Sequence, residues 1–181
     1  MKKSLRNQAR QRRREVHKKK GIEAAALLAD NFFNNVKISD DDIVALYSPF
    51  GSELDIYPIA VKLQSSGVQM VLPCVLKEAA PLLFRRWHVG DNMVEGTFGI
   101  AEPVATTEAV KPTIMLVPLL AFDKHRHRIG YGRGYYDRTI KTITDVKTIG
   151  VGYADMQLEQ VPVEAHDVQL DMIITDDKVF T

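Results

Sequence analysis

The sequence predicts a single α/β domain in three layers, a largely parallel sheet flanked by helices. Three observations carry that prediction. Six apolar runs of strand length recur between residues 43 and 175, several are separated by segments able to form helices, and no internal repeat or low-complexity linker interrupts them. At 181 residues and 45% hydrophobic, the chain can bury one substantial core, so a single domain spanning residues 1–181 is expected.

The chain opens with a basic arm. Between Lys2 and Lys20 it carries 10 Lys and Arg against one acid, Glu15, leaving 14 bases and 22 acids for the remainder. A basic helix over about 1–20 is expected, with Arg10 to Lys20 forming a solvated, partly packing face. The arm lacks the apolar centre of a secretory signal, and it has less Ser and a weaker apolar face than mitochondrial presequences usually show, so import into that organelle is the minor reading. After Gly21, "IEAAALLADNFF" is helical in character, and "SDDD" at Ser39 to Asp42 marks a turn. The predicted strands follow: Ile43 to Tyr47, Val68 to Pro73, Leu82 to Trp87, Ile114 to Leu120, Thr148 to Tyr153 and Leu170 to Thr175. Helices are expected over "ELDIYPIAVKLQSS", which Pro58 must interrupt or restart, and over "YYDRTIKTIT".

No stretch approaches the roughly 18 uncharged apolar residues that a membrane span requires. A soluble, cytoplasmic monomer is expected. The lone cysteine, Cys74, lies in the apolar run "VQMVLPCVL", which suits core packing better than nucleophilic chemistry.

The segment "RIGYGRGYYDR", Arg128 to Arg138, carries the chemistry. It follows a predicted strand and leads into a predicted helix, on the side of a parallel sheet where ligands sit. Gly130, Gly132 and Gly134 match neither the dinucleotide fingerprint nor the P-loop. They still let the backbone approach an anion, while Arg128 and Arg133 offer charge and paired N–H donors. The run reads as a polyphosphate cradle, the bland alternative being a tight turn with solvated arginines. Asp137 serves either the helix dipole or a phosphate-bound Mg²⁺, and Asp167 either a turn or the partner carboxylate. Of Tyr135 and Tyr136, one is expected in the core and the other stacked on a planar ring, without an indication of which.

Taken with "KKSLR", "SELDI", "FGIAEP", "VPLLAFD" and "VPVEAHDVQLDMIIT" in this order, the run makes the sequence resemble the 5-formyltetrahydrofolate cyclo-ligases nearly end to end. The resemblance implies a single-domain α/β enzyme that uses ATP and Mg²⁺ to convert 5-formyltetrahydrofolate, with or without a polyglutamate tail, into 5,10-methenyltetrahydrofolate. It implies nucleotide contacts at Lys2 (or Lys3, if the register slips) and Arg6, and along Arg128, Gly130, Tyr131, Gly132, Arg133, Gly134, Tyr135 and Tyr136. Arg128 and Arg133 are then the catalytic cations and Asp137 and Asp167 the magnesium carboxylates. Ser48, Glu53, Trp87 and Tyr135 become the folate contacts, with Glu53 hydrogen-bonded to the pterin; a helix-start acid is the plainer reading of Glu53. Glu102 has no assigned role. Two positions depart from the family pattern: Arg126 replaces a turn glycine within "KHRHR", and Tyr131 stands where relatives often carry a base, which predicts a missing phosphate contact. His125 and His127 have no third ligand nearby in sequence and are expected in solvent. The alternatives are an RNA-binding module using the basic arm, although no nucleic-acid partner is expected, and an inactive folate-binding relative.

Overall fold

The structure, a computed structural model, describes residues 2–181. Its elements run α1 (Lys2–Asn35), β1 (Ile43–Ala45), α2 (Tyr57–Ser65), β2 (Gln69–Cys74), β3 (Leu83–Arg86), β4 (Met93–Glu95), β5 (Ala101–Pro103), β6 (Ile114–Pro118), β7 (Ala121–Phe122), β8 (Arg128–Ile129), α3 (Tyr135–Thr142), β9 (Lys147–Val151), β10 (Met172–Ile174) and β11 (Val179–Phe180). Seven strands form the main sheet in the order β11-β10-β9-β6-β1-β2-β3. The five inner strands are parallel, and antiparallel β3 and β11 close the two edges. Helices flank the sheet, as the alternating pattern of apolar runs predicts.

The inner strands are short and apolar because both of their faces are covered. Ile114 to Val117 and Thr148 to Val151 are buried without a break, so no alternation of polar residues survives there. Cys74 is buried with them, and burial pushes its thiol up to about 11, which keeps it a neutral packing group. From β1 the chain winds one way to β2, and from β6 it winds the other way to β9 and β10. The resulting switch point lies between β1 and β6. Here the connections leave in opposite directions and open a crevice beyond the carboxyl ends of the strands.

The basic segment does not stop near residue 20. It runs unbroken through Gly21 as the first half of a single helix 34 residues long, about 50 Å at the usual rise. A glycine inside a helix costs about 1 kcal/mol relative to alanine. Here a Cβ at position 21 would come within 3.0 Å of His17 Nδ1, and that nitrogen lies 2.8 Å from the Tyr153 hydroxyl. Gly21 therefore leaves room for a ring that ties α1 to the loop after β9. Further along, Lys20 is paired with Asp155 and with Asp176, at 2.6 Å from the latter, and Asn31 donates to the Thr175 carbonyl at 2.9 Å.

The second predicted helix begins late. Residues 51–56 are loop and α2 starts at Tyr57, with Pro58 in its first turn, where the missing N–H costs no helical bond. Glu53 is thus a loop residue and not a helix-start acid. No helix among the described residues is long and apolar enough to cross a membrane.

Candidate functional site

A cavity of about 390 Å³ opens at the switch point. Its floor is the ends of strands: Tyr47 and Ser48 follow β1, Pro73 and Val75 end β2, and Pro118 ends β6. The glycine run forms one wall, α1 and the start of α3 extend it, and β5 with the loop before it stands opposite.

Helical spacing explains the α1 contribution. Lys2, Arg6 and Arg10 recur at intervals of four and so share one face, which lines the cavity. Lys3 is exposed, about 100° around the helix, and takes no part in the lining. Lys2 is 9% exposed; its Nζ hydrogen-bonds Asp167 and lies 3.2 Å from Glu164. Arg6 Nε donates to the Gly130 carbonyl at 3.0 Å. Gly132, at φ +95°, lies so close beneath Arg6 that an added Cβ would approach its Cζ to 2.9 Å. The backbone angle favours glycine there, and a side chain would also push the Arg6 guanidinium aside.

The solvated, partly packing face expected from Arg10 onward packs at two arginines. Arg10 lines the cavity, its guanidinium 5.7 Å from the centre of the Tyr131 ring. Arg13 is 4% exposed and packs behind the same ring at 5.5 Å. Arg12, Arg14, Lys18 and Lys19 do face solvent. The spacing of 2, 6, 10 and 13 could have separated these groups, because i+4 and i+3 steps follow one helix face.

On the other side of the glycine run, Gly134 adopts φ +65° and caps α3, which starts at Tyr135. The first N–H groups of a helix lack intrahelical acceptors, so the cradle ends on free donors. Arg128 is folded inward: Nη1 donates to the Val168 carbonyl at 2.6 Å and Nη2 to Asp137 Oδ1 at 2.7 Å. Arg133 differs, being 53% exposed at the rim, with its guanidinium 4.0 Å from the centre of the Phe98 ring. Tyr135 and Tyr136 both line the cavity. Tyr136 packs against the core, while Tyr135 tilts toward Phe98 at 6.3 Å and holds a buried hydroxyl with no hydrogen-bond partner among the described residues.

Asp137 and Asp167 come together although thirty residues separate them. Both line the cavity, and the Val168 N–H, next to Asp167, donates to Asp137 Oδ1 at 3.1 Å. Burial opposes the charge on Asp167, but the Lys2 ammonium and the Glu164 N–H outweigh it and hold the carboxyl below its usual range. Among the described residues, Asp137 Oδ2 and Asp167 Oδ1 accept no hydrogen bond. Glu164 and His166 join Asp167 in a group whose ligand atoms all lie within 4.8 Å of one another. Free carboxylate oxygens beside a cation-rich glycine loop fit Mg²⁺, a hard ion that takes oxygen ligands.

Glu53 is 6% exposed in the wall. The Tyr47 hydroxyl donates to the Leu54 carbonyl at 2.6 Å and pins this loop to the end of β1. Burial raises the Glu53 carboxyl above its ordinary value; the Tyr131 hydroxyl, the Phe50 N–H and Arg13 resist the shift. Ser48 lines the cavity too, but its hydroxyl is spent on the Ala101 carbonyl at 2.7 Å, tying the β1 loop to β5. Tyr131 donates to Glu53 Oε1 at 2.6 Å, so its hydroxyl faces a carboxylate and not the open end of the cradle.

Trp87 is absent from the cavity lining. Because β3 runs antiparallel to β2, Leu83 pairs with Cys74 at the cavity end while the Trp87 N–H bonds the Met70 carbonyl at the far end. A ladder of four residues separates them by about 13 Å. The direction of one edge strand removes Trp87 from the site and puts Leu82 on its border. Sequence reasoning missed Arg10, Phe98, Glu102 and His166, all of which line the cavity. Glu102 accepts from the Val75 N–H at 3.1 Å and is packed so tightly on Gly96 that a Cβ there would stand 2.2 Å from its carboxyl carbon. Its signal was the pairing of "EGTFG" with "EP", two glycines around an aromatic residue ahead of a carboxylate.

The Arg126 departure has a structural answer. Arg126 adopts φ +65°, the left-handed angle for which glycine is the usual choice. The turn is held instead by Asp123 Oδ1, which accepts from the His125 and His127 N–H groups at 2.9 and 3.1 Å, and by Arg126 Nε donating to the Leu170 carbonyl at 3.0 Å. His127 leans on Asp123 at 3.5 Å, and neither histidine belongs to a ligand cluster among the described residues.

The family model described as the 5-formyltetrahydrofolate cyclo-ligase family matches residues 1–176. The chain is 34% identical over 178 residues to the 5-formyltetrahydrofolate cyclo-ligase of Escherichia coli K12, covering 94% of this chain and 98% of that one. Against the cyclo-ligase of Mycolicibacterium smegmatis it is 32% identical over 153 residues, 80% of this chain and 78% of that one. The NMR structure of Aquifex aeolicus 5,10-methenyltetrahydrofolate synthetase superposes with a TM-score of 0.85 at 28% identity, covering 99% of this chain and 91% of that one.

Proposed function

The chain belongs to the 5-formyltetrahydrofolate cyclo-ligase family, and from that premise we propose that it converts 5-formyltetrahydrofolate to 5,10-methenyltetrahydrofolate, consuming ATP as its Mg²⁺ complex and releasing ADP and phosphate. One observation supports this reading above the others: a single cavity joins two acids, the buried Glu53 and the half-buried Glu102, to a wall of cations, Lys2, Arg6, Arg10, Arg128 and Arg133. The acids suit the N–H groups of a pterin ring. The cations suit a polyphosphate.

The chemistry needs both. A formamide oxygen is a poor leaving group, so the formyl oxygen first takes the terminal phosphoryl group as ADP departs. The folate N10 lone pair then attacks the formyl carbon, the C–O bond breaks, phosphate leaves, and the N10 proton goes to solvent. The protein contributes alignment and neutralisation of charge. Lys2, Arg6 and the free N–H groups at the start of α3 receive phosphate oxygens. Arg128, held by Asp137 and the Val168 carbonyl, keeps a fixed guanidinium beside the cradle. Asp137 and Asp167 would hold Mg²⁺, which when bound supplies charge neutralisation between phosphate oxygens. Tyr135 and Phe98 flank the reacting group and exclude water.

The test is product formation. Purified protein with 5-formyltetrahydrofolate, Mg²⁺ and ATP is expected to develop the near-ultraviolet absorbance of the methenyl product. Omitting ATP should abolish it. Folded protein that forms no product under these conditions overturns the proposal.

A further inference from the structure

Arg13 is a buried charge that the chemistry above does not use. It does not line the cavity, yet two of its guanidinium nitrogens are directed: Nε donates to Ser52 Oγ at 3.1 Å and Nη2 to the Tyr131 hydroxyl at 2.6 Å, while Nη1 lies 3.9 Å from Glu53 Oε1 without a hydrogen-bond partner among the described residues. The Tyr131 hydroxyl in turn lies 2.6 Å from Glu53 Oε1, and the Phe50 N–H donates to Glu53 Oε2 at 2.8 Å.

The donor inventory orders this chain. A guanidinium has donors only, so Tyr131 must accept from Arg13. A phenol has one proton, which is then left for Glu53. Oε1 accepts that O–H and Oε2 accepts the Phe50 N–H, so each carboxyl oxygen already faces a donor and the ionised form is favoured. Glu53 lines the cavity, so its remaining lone pairs are available to a ligand there. Without Arg13 the order is lost: the Tyr131 hydroxyl can rotate and accept from a protonated Glu53, which burial already favours.

We propose that Arg13 is a positioning residue for Glu53, acting through the Tyr131 hydroxyl to hold the carboxylate as an oriented acceptor for the paired N–H groups of the folate ring. Tyr131 then belongs to the folate wall, although it stands between two glycines of the phosphate cradle. This rests on the reading of Glu53 as the folate acid. The other ionisable groups that act at this cluster are Arg10 on α1, Tyr47 after β1, Asp55 in the same loop, Arg128 in the glycine run and Tyr136 on α3. None of them donates to Glu53, so the hydrogen-bonded order depends on Arg13 alone among the charged residues.

The test is titration calorimetry of 5-formyltetrahydrofolate and, separately, of MgATP, on wild type, Arg13→Met, Tyr131→Phe and the double variant. A charge-assisted hydrogen bond sets the scale at about tenfold. The folate Kd of Arg13→Met is expected to rise about tenfold near neutrality, with the MgATP Kd within about twofold of wild type. The defect should narrow as pH rises and Glu53 ionises without help. Tyr131→Phe should show the same folate defect, and the double variant should be no worse than Arg13→Met, because both act on one carboxylate. Arg13→Lys should recover part of the affinity. Equal losses of folate and nucleotide affinity, additive effects, or a loss independent of pH would mean a merely structural role and would overturn the proposal. If Arg13→Met does not fold, the pH-dependence of Tyr131→Phe, which keeps the ring, decides the matter by itself. Wild-type protein that binds and converts the folate while Arg13→Met matches it at every pH sinks this inference and leaves the function standing. Wild-type protein that binds no folate removes the function itself.

Discussion

The cavity holds two kinds of carboxylate, and they move in opposite directions. Glu53, in the wall after β1, is raised by burial, because the one nearby cation stands 3.9 Å off and neutral dipoles do the rest. Asp167, beside the first turn of α1, is also opposed by burial but ends up lowered, because the Lys2 ammonium hydrogen-bonds it directly. Glu53 is also the deeper of the two, its side chain 6% exposed against 21% for Asp167, so deeper burial and a less direct partner cation push its carboxyl the same way. The same contrast suits two ligands. A neutral heterocycle needs a desolvated acceptor with free lone pairs. A magnesium-bound polyphosphate needs carboxylates and cations in near balance, so that neither repels it.

Breaking the phosphate side should have the largest effect. Asp137→Ala removes the partner that holds Arg128 and a free oxygen from the proposed magnesium pair, and kcat is expected to fall by about a thousandfold in the absorbance assay. A fall of less than about tenfold would show that the cradle works without it. On the folate side, Glu53→Gln should raise the folate KM by about ten- to a hundredfold and leave the MgATP KM nearly unchanged. If both constants rise together, the two walls are not functionally distinct. Lys2→Met should raise the MgATP KM by about tenfold, with the larger increase at low salt, where the lost charge is least screened.

Stability against pH should separate the two acids by sign. Glu53 has a raised folded pKa, so its ionisation costs stability above that value and the cost is relieved as pH falls through it. Asp167 has a lowered folded pKa, so its contribution is complete above the ordinary carboxylate value and is lost as pH falls through the folded one. As pH drops from about 7 to about 3, the melting temperature of wild type should gain on Glu53→Gln but lose ground to Asp167→Asn, by a few degrees each. Differences of the same sign would refute the contrast. The smallest effect is expected from Trp87→Phe, which should leave the folate KM within about twofold. A large change would place Trp87 at the pocket after all.

Much of this was legible from residue order. Apolar runs separated by helical segments indicate a parallel sheet, because strands covered on both faces carry no polar alternation. Cations interleaved with glycines mark an anion-facing loop, and this run does lie along the cavity wall. What misled was distance around and along elements. Lys3 and Lys2 are neighbours in sequence yet one is exposed and the other buried; Arg13 looks like one more base in a solvated run, yet it is sealed behind Tyr131.

The sequence by itself determined the layered sheet, the glycine cradle and the family, because these depend on periodicity, backbone freedom and short spacings that a chain carries locally. Tertiary structure alone decided which side chains meet: that β3 runs antiparallel and carries Trp87 away, that Val168 brings Asp167 to Asp137, and that a buried arginine reaches a carboxylate through Tyr131. Those outcomes depend on strand direction and on donors finding acceptors in a desolvated interior, where an unpaired group costs more than any local preference supplies.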